Sequence, residues 1–257
     1  MDIEDSSILL GSDQIFEVYE IASASNSAYK IIFKSGNSSL YKPASGEQPL
    51  WDFSAGTLMY RELVAYHLYS FLDVKVPATK IWENGPVGPG VIQDWVAVSD
   101  DEEDFLKISL SDKDLGDEWL GSFVGIDQTG ESVKLWHKDL PQLRRIAFAD
   151  LIMNNADRKA SHVLQSNSNF YAIDHGLCFH SEDKIRTIFW GWGDEKFSQQ
   201  EMQLLSKLDS YLQNFQLLKY LNSEEVVSLR ERVKYFQDLG RFSNVPNHRS
   251  ALPWPIY

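Results

Sequence analysis

The sequence predicts an α+β fold in two lobes: an N-terminal antiparallel sheet lobe with one helix, residues 1–98, then a mainly helical C-terminal lobe, residues 99–257. Three observations lead there. Short runs rich in β-branched and aromatic residues, separated by tight turns, fill most of the first hundred positions. One stretch among them, Thr57 to Leu72, switches to helical periodicity. Beyond Leu140 the apolar residues recur mainly at helical spacing, broken by a single short hairpin signal.

Within the first lobe, Ile15–Ile21 and Tyr29–Phe33 read as strands joined by ASASNSA, and Ser35-Gly36-Asn37 turns the chain into a third strand, Ser38–Lys42. Pro43 to Gly56 is irregular, with Trp51 and Phe53 available to anchor it. In the helix that follows, Thr57 is the expected N-cap. Leu58, Glu62, Ala65, Tyr69 and Leu72 form its stripe. Val74–Trp82 and Val91–Val98 complete the sheet around the turn NGPVGPG, and the second of them leads into the other lobe.

The second lobe opens on SDDEED, a solvated acidic run, and GIDQTGESVKLW suggests a hairpin turning at Gln128 to Glu131. Pro141 suits a first helical turn, and Leu143, Ile146, Ala147, Asp150 and Leu151 share one face of the helix it opens. That helix runs into Asn154 and Asn155, residues that tolerate the left-handed backbone of a helix end. HVL and FYAI are two short strands around the polar turn Gln165 to Asn169. Two helices follow, Ser198–Leu208 and Ser223–Leu239, the second stopped by Gly240. The proline-rich tail from Arg241 is irregular and is expected to pack back through Trp254, Ile256 and Tyr257.

Composition excludes several classes of function. At 257 residues, with 43% hydrophobic and 13% aromatic side chains, the chain can bury a sizeable core. The 24 basic residues against 37 acidic ones leave a net charge of −13, contrary to the basic surface that nucleic-acid binding needs. Polybasic segments that would hold an anionic membrane are missing too, so no stable membrane association is expected. The start, MDIEDSSILL, is acidic rather than a basic signal, and no apolar run reaches spanning length. The one cysteine, Cys178, is expected to be a small buried hydrophobe and suggests a reducing, cytoplasmic setting.

The chemistry concentrates between Asn154 and Gly176, NNADRKASHVLQSNSNFYAIDHG. Closing the HVL/FYAI hairpin brings Asp157, His162 and Asp174 to one volume. An orienting carboxylate followed by a metal-binding one is how a phosphoryl-transfer site is built. The segment resembles the phosphatidylinositol 3-/4-kinase-like branch of the protein-kinase superfamily, with its Asn-x-Asp-Arg loop and Ile-Asp-x-Gly segment. From Tyr41 to the C-terminus the chain also resembles an uncharacterised bacterial family named for that likeness, through YKPASGEQPLWDFSAGTL, NNADRKASHVL, AIDHGLCFH, RTIFWGW and LPWPIY.

The resemblance implies a protein-kinase-like two-lobe fold with nucleotide in the cleft. Ser25, Asn26 and Ser27 would then cover the phosphates with backbone and hydroxyl donors, where kinases use glycines. Gln93, Trp95 and Val96 occupy the connector whose main chain would pair with adenine. Glu62, a carboxylate inside an apolar stripe, needs a cation, and Lys42 is the expected partner; Arg61 lies on a different face.

On this reading Lys42 neutralises nucleotide phosphates, Asp157 orients the acceptor, Arg158 or Lys159 neutralises charge nearby, and Asp174 holds the metal. His162 stands where the superfamily usually has Asn. It either ligates the metal, favouring Mn²⁺ over Mg²⁺ relative to an amide, or hydrogen-bonds Asp157 or the backbone. The expected activity is transfer of the terminal phosphate of ATP, with Mg²⁺ or Mn²⁺, to a protein or small-molecule acceptor in preference to a lipid. Two other readings use the same residues: a nucleotide-binding pseudokinase, and a metal-dependent phosphohydrolase that also employs His175.

Overall fold

The structure is a computed structural model and describes residues 14–22, 24, 26–98 and 104–257. Ser25, the start MDIEDSSILL and all of SDDEED except Asp104 lie outside the described residues. The fold is mixed α+β, with an N-terminal antiparallel sheet and, among the described residues, four α-helices.

The N-terminal sheet contains β1 (Ile15–Glu20), β2 (Tyr29–Phe33), β3 (Ser38–Pro43), β4 (Thr79–Gly85) and β5 (Gly88–Asp94), in the order β1-β2-β3-β5-β4. All pairs are antiparallel, and Lys42 lies opposite Val91. The last two strands run closer together than NGPVGPG implied, with only Pro86 and Val87 between them. Alternation in β3, SSLYKP, buries Ser39, Tyr41 and Pro43 on one face and leaves Lys42 on the other. Ile31, Phe33, Tyr41 and Ile92 form a small core on the sheet.

Helix α1 (Leu58–Phe71) crosses between β3 and β4. Thr57 precedes it, but its side chain does not cap the helix. Its hydroxyl donates to Ser54 O (2.6 Å), and Glu47 Oε1 accepts from Met59 N (3.2 Å) instead. Val64, Ala65, Leu68, Tyr69 and Leu72 belong to the main core, which centres on α2 (Pro141–Met153). Each such fully buried aliphatic side chain contributes about 1.5–3 kcal/mol relative to exposure. The helix that carries Glu62 is therefore packed into the C-terminal body as well as against the sheet.

The C-terminal part contains more sheet than the sequence suggested. The hairpin around Gln128–Glu131 exists as β7 (Trp119–Ile126) and β8 (Ser132–Lys138), but β6 (Leu106–Leu110) joins it as a third strand in the order β6-β8-β7. Helix α2 ends at Asn154 in the left-handed conformation (φ 52°). The hairpin β9 (Val163–Ser166) and β10 (Asn169–Ala172) turns through Asn167 and Ser168, both at positive φ. Helices α3 (Gln199–Leu212) and α4 (Ser223–Leu239) each begin with a capping box, and Gly240 (φ 63°) ends α4.

Several aromatic anchors differ from expectation. Phe53 is buried against His180, whereas Trp51 is 90% exposed, with Lys184 Nζ 4.4 Å from its ring centroid. In the tail, Ile256 packs against the core, but Trp254 and Tyr257 are exposed. Among the described residues, no helix is long and apolar enough to cross a membrane.

Candidate functional site

Strand β3, helix α1 and the segment after β10 bring three charged side chains together. Lys42 Nζ lies 2.8 Å from Glu62 Oε1 and 3.0 Å from Asp174 Oδ1, across 132 positions of sequence in the second case. Glu62 is 2% exposed and also accepts from His175 N (3.0 Å) and Gln93 Nε2 (3.5 Å). Burial alone would lower the Lys42 pKa. Asp174 and then Glu62 outweigh it, so the ammonium titrates well above its ordinary value.

Asp174 has φ 59°, a left-handed conformation that Asp adopts more readily than most residues. Its recessed position would raise the carboxyl pKa. Lys42 and then His162 reverse that and hold it well below the usual carboxylate range.

The loop after α2 supplies the opposite wall. Asn155 Oδ1 accepts from Asp157 N (3.0 Å), while Asn155 Nδ2 donates to Asp150 Oδ1 (3.0 Å), so a buried amide sets the position of Asp157. Burial pushes the Asp157 carboxyl up, more than nearby His162 and Lys159 pull it down. Lys159 Nζ is 3.2 Å from Asp157 Oδ2.

His162 lies between the two carboxylates. Its Nδ1–H donates to Asp157 O (2.7 Å), leaving Nε2 3.3 Å from Asp174 Oδ2. In the neutral ring this aims a lone pair beside a carboxylate oxygen, an arrangement that a shared cation would satisfy. Among the described residues no group of three or more His, Cys, Asp or Glu side chains could hold a metal ion. Asp174 and His162 therefore offer two donors, and a divalent ion there would need phosphate oxygens and water to complete its coordination.

A cavity of about 370 Å³ adjoins these groups. Ile21, Ala28, Leu40 and Pro77 meet Leu164 and Ile173 across it, and Lys42, Asp174 and His162 supply charge. Gln93, Trp95 and Val96 line it, but not all offer main chain. Gln93 sits between Leu40 and Thr79 in the sheet, and Trp95 N donates to Ser38 O (3.1 Å). A smaller space of about 30 Å³ continues beyond Lys42, lined by Asn26, Ser27, Glu47 and Glu62. Asn26 and Ser27 are tied down there. Asn26 Oδ1 accepts from Gln48 N (2.7 Å), and Ser27 N donates to Gly46 O (3.2 Å). A larger cavity, about 600 Å³, lies between α4 and residues 243–249 and contains none of these groups.

Two expectations need correction. Arg158 does not face the cleft. It is fully buried, forks Asp150 through Nε (2.9 Å) and Nη2 (3.0 Å), and gives Nη1 to His162 O and Ile173 O. It braces the loop instead of meeting a ligand. His175, required by the hydrolase reading, is 2% exposed and packs against the Tyr69 ring at 4.2 Å. Trp190 and Trp192, within RTIFWGW, are core residues.

Sequence reasoning missed two residues. Asn155 was assigned only to the helix end, since sequence does not reveal which way an amide points. Glu47 reaches the space beside Lys42 with Oε2 buried and without a hydrogen-bond partner. Its only advance signal was its place in YKPASGEQPLWDF.

These features define an α+β protein with a lysine–glutamate pair and a second carboxylate on the wall of an apolar cleft. The chain is 34% identical over 270 residues to Protein Rv2133c of Mycobacterium tuberculosis (strain ATCC 25618 / H37Rv), covering 99% of this chain and 96% of that protein. It belongs to the family of that protein. No family model matches the chain. Among solved structures it is similar to the Helicobacter pylori proinflammatory kinase CtkA, at 13% identity and a TM-score of 0.45, covering 87% of this chain and 91% of that one.

Proposed function

We propose that this chain is a kinase-like phosphotransferase that moves the terminal phosphate of ATP to an acceptor hydroxyl, with Mg²⁺ or Mn²⁺. The observation that carries the reading is Lys42 held between Glu62 (2.8 Å) and Asp174 (3.0 Å) on the wall of the cleft. Phosphoryl transfer depends on positioning and charge neutralisation more than on covalent chemistry.

The apolar part of the cavity would take the base, with Val96 offering main chain beside it. Lys42 would meet phosphate oxygens, and Glu62 would keep its ammonium directed at them. Asp174 and His162 would hold the metal, which when bound supplies further neutralisation of phosphate charge. Asp157 would orient the acceptor hydroxyl and take its proton, a task suited to a carboxylate whose pKa burial has raised. With a net charge of −13, a protein or small-molecule acceptor fits better than a lipid in an anionic membrane, despite the phosphatidylinositol 3-/4-kinase-like motifs.

A second reading, nucleotide binding without turnover, is favoured by one observation: the space beside Lys42, where phosphates would lie, is only about 30 Å³ and has Glu47 in its lining. Thermal-shift titration with ATP in EDTA, Mg²⁺ and Mn²⁺ tests both. ATP at about 100 times its Kd adds about 2.7 kcal/mol to the folded state. A metal-dependent shift that Asp174→Asn and Lys42→Met abolish is expected, followed by label transfer from γ-labelled ATP in an acceptor screen. Binding without transfer would select the second reading. Absence of a shift with any metal would overturn both.

A further inference from the structure

Glu62 meets Lys42, and the residue before it holds the helix in place. Arg61, about 100° away around α1, is 2% exposed. Its Nη2 pairs with Glu225 Oε1 in the first turn of α4. Nη1 donates to Cys178 O (2.7 Å), four residues beyond Asp174, and Nε donates to Thr57 Oγ1 (3.4 Å). The Phe53 ring centroid lies 4.9 Å from its guanidinium carbon. Glu225, 5% exposed, uses its other oxygen to accept from Asn222 N (3.0 Å) in the α4 capping box.

Other contacts secure the same helix along its length. Tyr60 stacks on Tyr220 (4.6 Å, 9°) and Phe71 on Tyr211 (4.6 Å, 20°). Leu68, Tyr69 and Leu72 have no exposed surface. In protein kinases the corresponding lysine–glutamate contact is a point of control, because the glutamate's helix changes position. Moving α1 here would leave a buried guanidinium and a buried carboxylate without each other, a strongly unfavourable state.

We propose that Arg61 and Glu225 are a positioning pair that holds α1, and with it Glu62, engaged with Lys42, so that the site stands assembled before any nucleotide arrives and α1 is not a switch. The proposal rests on the phosphotransferase reading for its functional meaning. Control of this site, on this account, falls to segments other than α1.

The test reads Lys42 directly, without ATP. Full-length protein is acetylated with limiting sulfo-N-hydroxysuccinimide acetate, and Lys42 modification is measured by peptide mass spectrometry relative to the exposed Lys113 and Lys207. Hydrogen exchange over residues 58–71 is followed in parallel. The variants are Glu62→Gln and the double variant Arg61→Met/Glu225→Gln, which leaves no buried charge unpaired. Glu225→Gln alone, which can preserve the capping bond, provides the same reading if the double variant does not fold.

An amine held between two carboxylates is shielded from acylation, and loss of one contact exposes it. The Lys42 ratio is expected to rise severalfold in Glu62→Gln and in the Arg61/Glu225 variant, with faster exchange in α1. A folded Arg61/Glu225 variant with an unchanged Lys42 ratio, while Glu62→Gln responds, would overturn the positioning role alone. A lower melting temperature without a change in the ratio counts as that outcome. If Glu62→Gln also fails to respond, Asp174 alone holds Lys42 and Glu62 does not position it, so the proposal falls, while the phosphotransferase reading is judged separately by the metal-dependent ATP shift.

Discussion

The Arg158 guanidinium forks the Asp150 carboxylate at 2.9 and 3.0 Å, and neither side chain has any exposed surface. Removing one partner of such a pair strands the other charge. Arg158→Met is therefore expected to destabilise the protein by about 3–5 kcal/mol, measured by urea unfolding. Lys159→Met, at the partly exposed pair with Asp157, should cost about 1 kcal/mol or less. Equal costs would contradict the bracing role.

The same pair marks the limit of what the sequence makes legible. Lys42 and Glu62 could be joined in advance because a carboxylate inside an apolar helical stripe requires a cation, and strand alternation places Lys42 on the opposite face from Tyr41. The β9–β10 hairpin and the end of α4 at Gly240 were readable from turn and capping chemistry. Arg158 was not, because NNADRK places two basic residues side by side and only the fold decides which one turns inward to Asp150. Thr57 has the right residue type for a cap, yet Glu47 from a distant loop takes the helix N–H. Strand β6 is a lone five-residue run whose pairing with β8 has no local signal.

His137 makes stability depend on pH. It is fully buried, its Nδ1–H donates to Lys138 O (3.0 Å), and its Nε2 accepts from Gly191 N (3.0 Å), so the neutral ring is the one that fits. Burial lowers its pKa from 6.5 to about 4. Because the folded value lies below the unfolded one, its contribution is complete above pH 6.5 and is lost as the pH falls toward 4. Each pH unit in that window removes up to about 1.4 kcal/mol. Urea unfolding at a series of pH values should show this slope, and His137→Gln should flatten it. An unchanged slope in the variant would assign the acid sensitivity to other groups.

Cys178 should be chemically silent in the folded protein. It has no exposed surface, its Sγ lies 3.7 Å from Tyr69 Oη, and burial pushes the thiol pKa well above its ordinary value. Ellman's reagent should titrate no thiol under native conditions and one per chain in urea. Rapid native labelling would show that the segment after Gly176 opens on its own.

Glu62→Gln should separate folding from function. The carboxylate accepts from Lys42 through one oxygen, and from His175 N and Gln93 Nε2 through the other. An amide has one oxygen, so its NH₂ must face either the Lys42 ammonium or the donors at the other side. Gln93 Oε1 is buried and without a partner, and rotation of the Gln93 amide would let it accept from the new NH₂ in exchange for the Nε2 bond to Thr79 Oγ1 (3.0 Å). The stability loss should then stay near 1–3 kcal/mol, the usual range for one buried partner removed. Lys42 would lose its counter-charge, and the metal-dependent ATP shift should fall much more steeply than stability. If Glu62→Gln retains the full ATP shift, Glu62 serves only the fold, and the orientation of Lys42 must come from Asp174 alone.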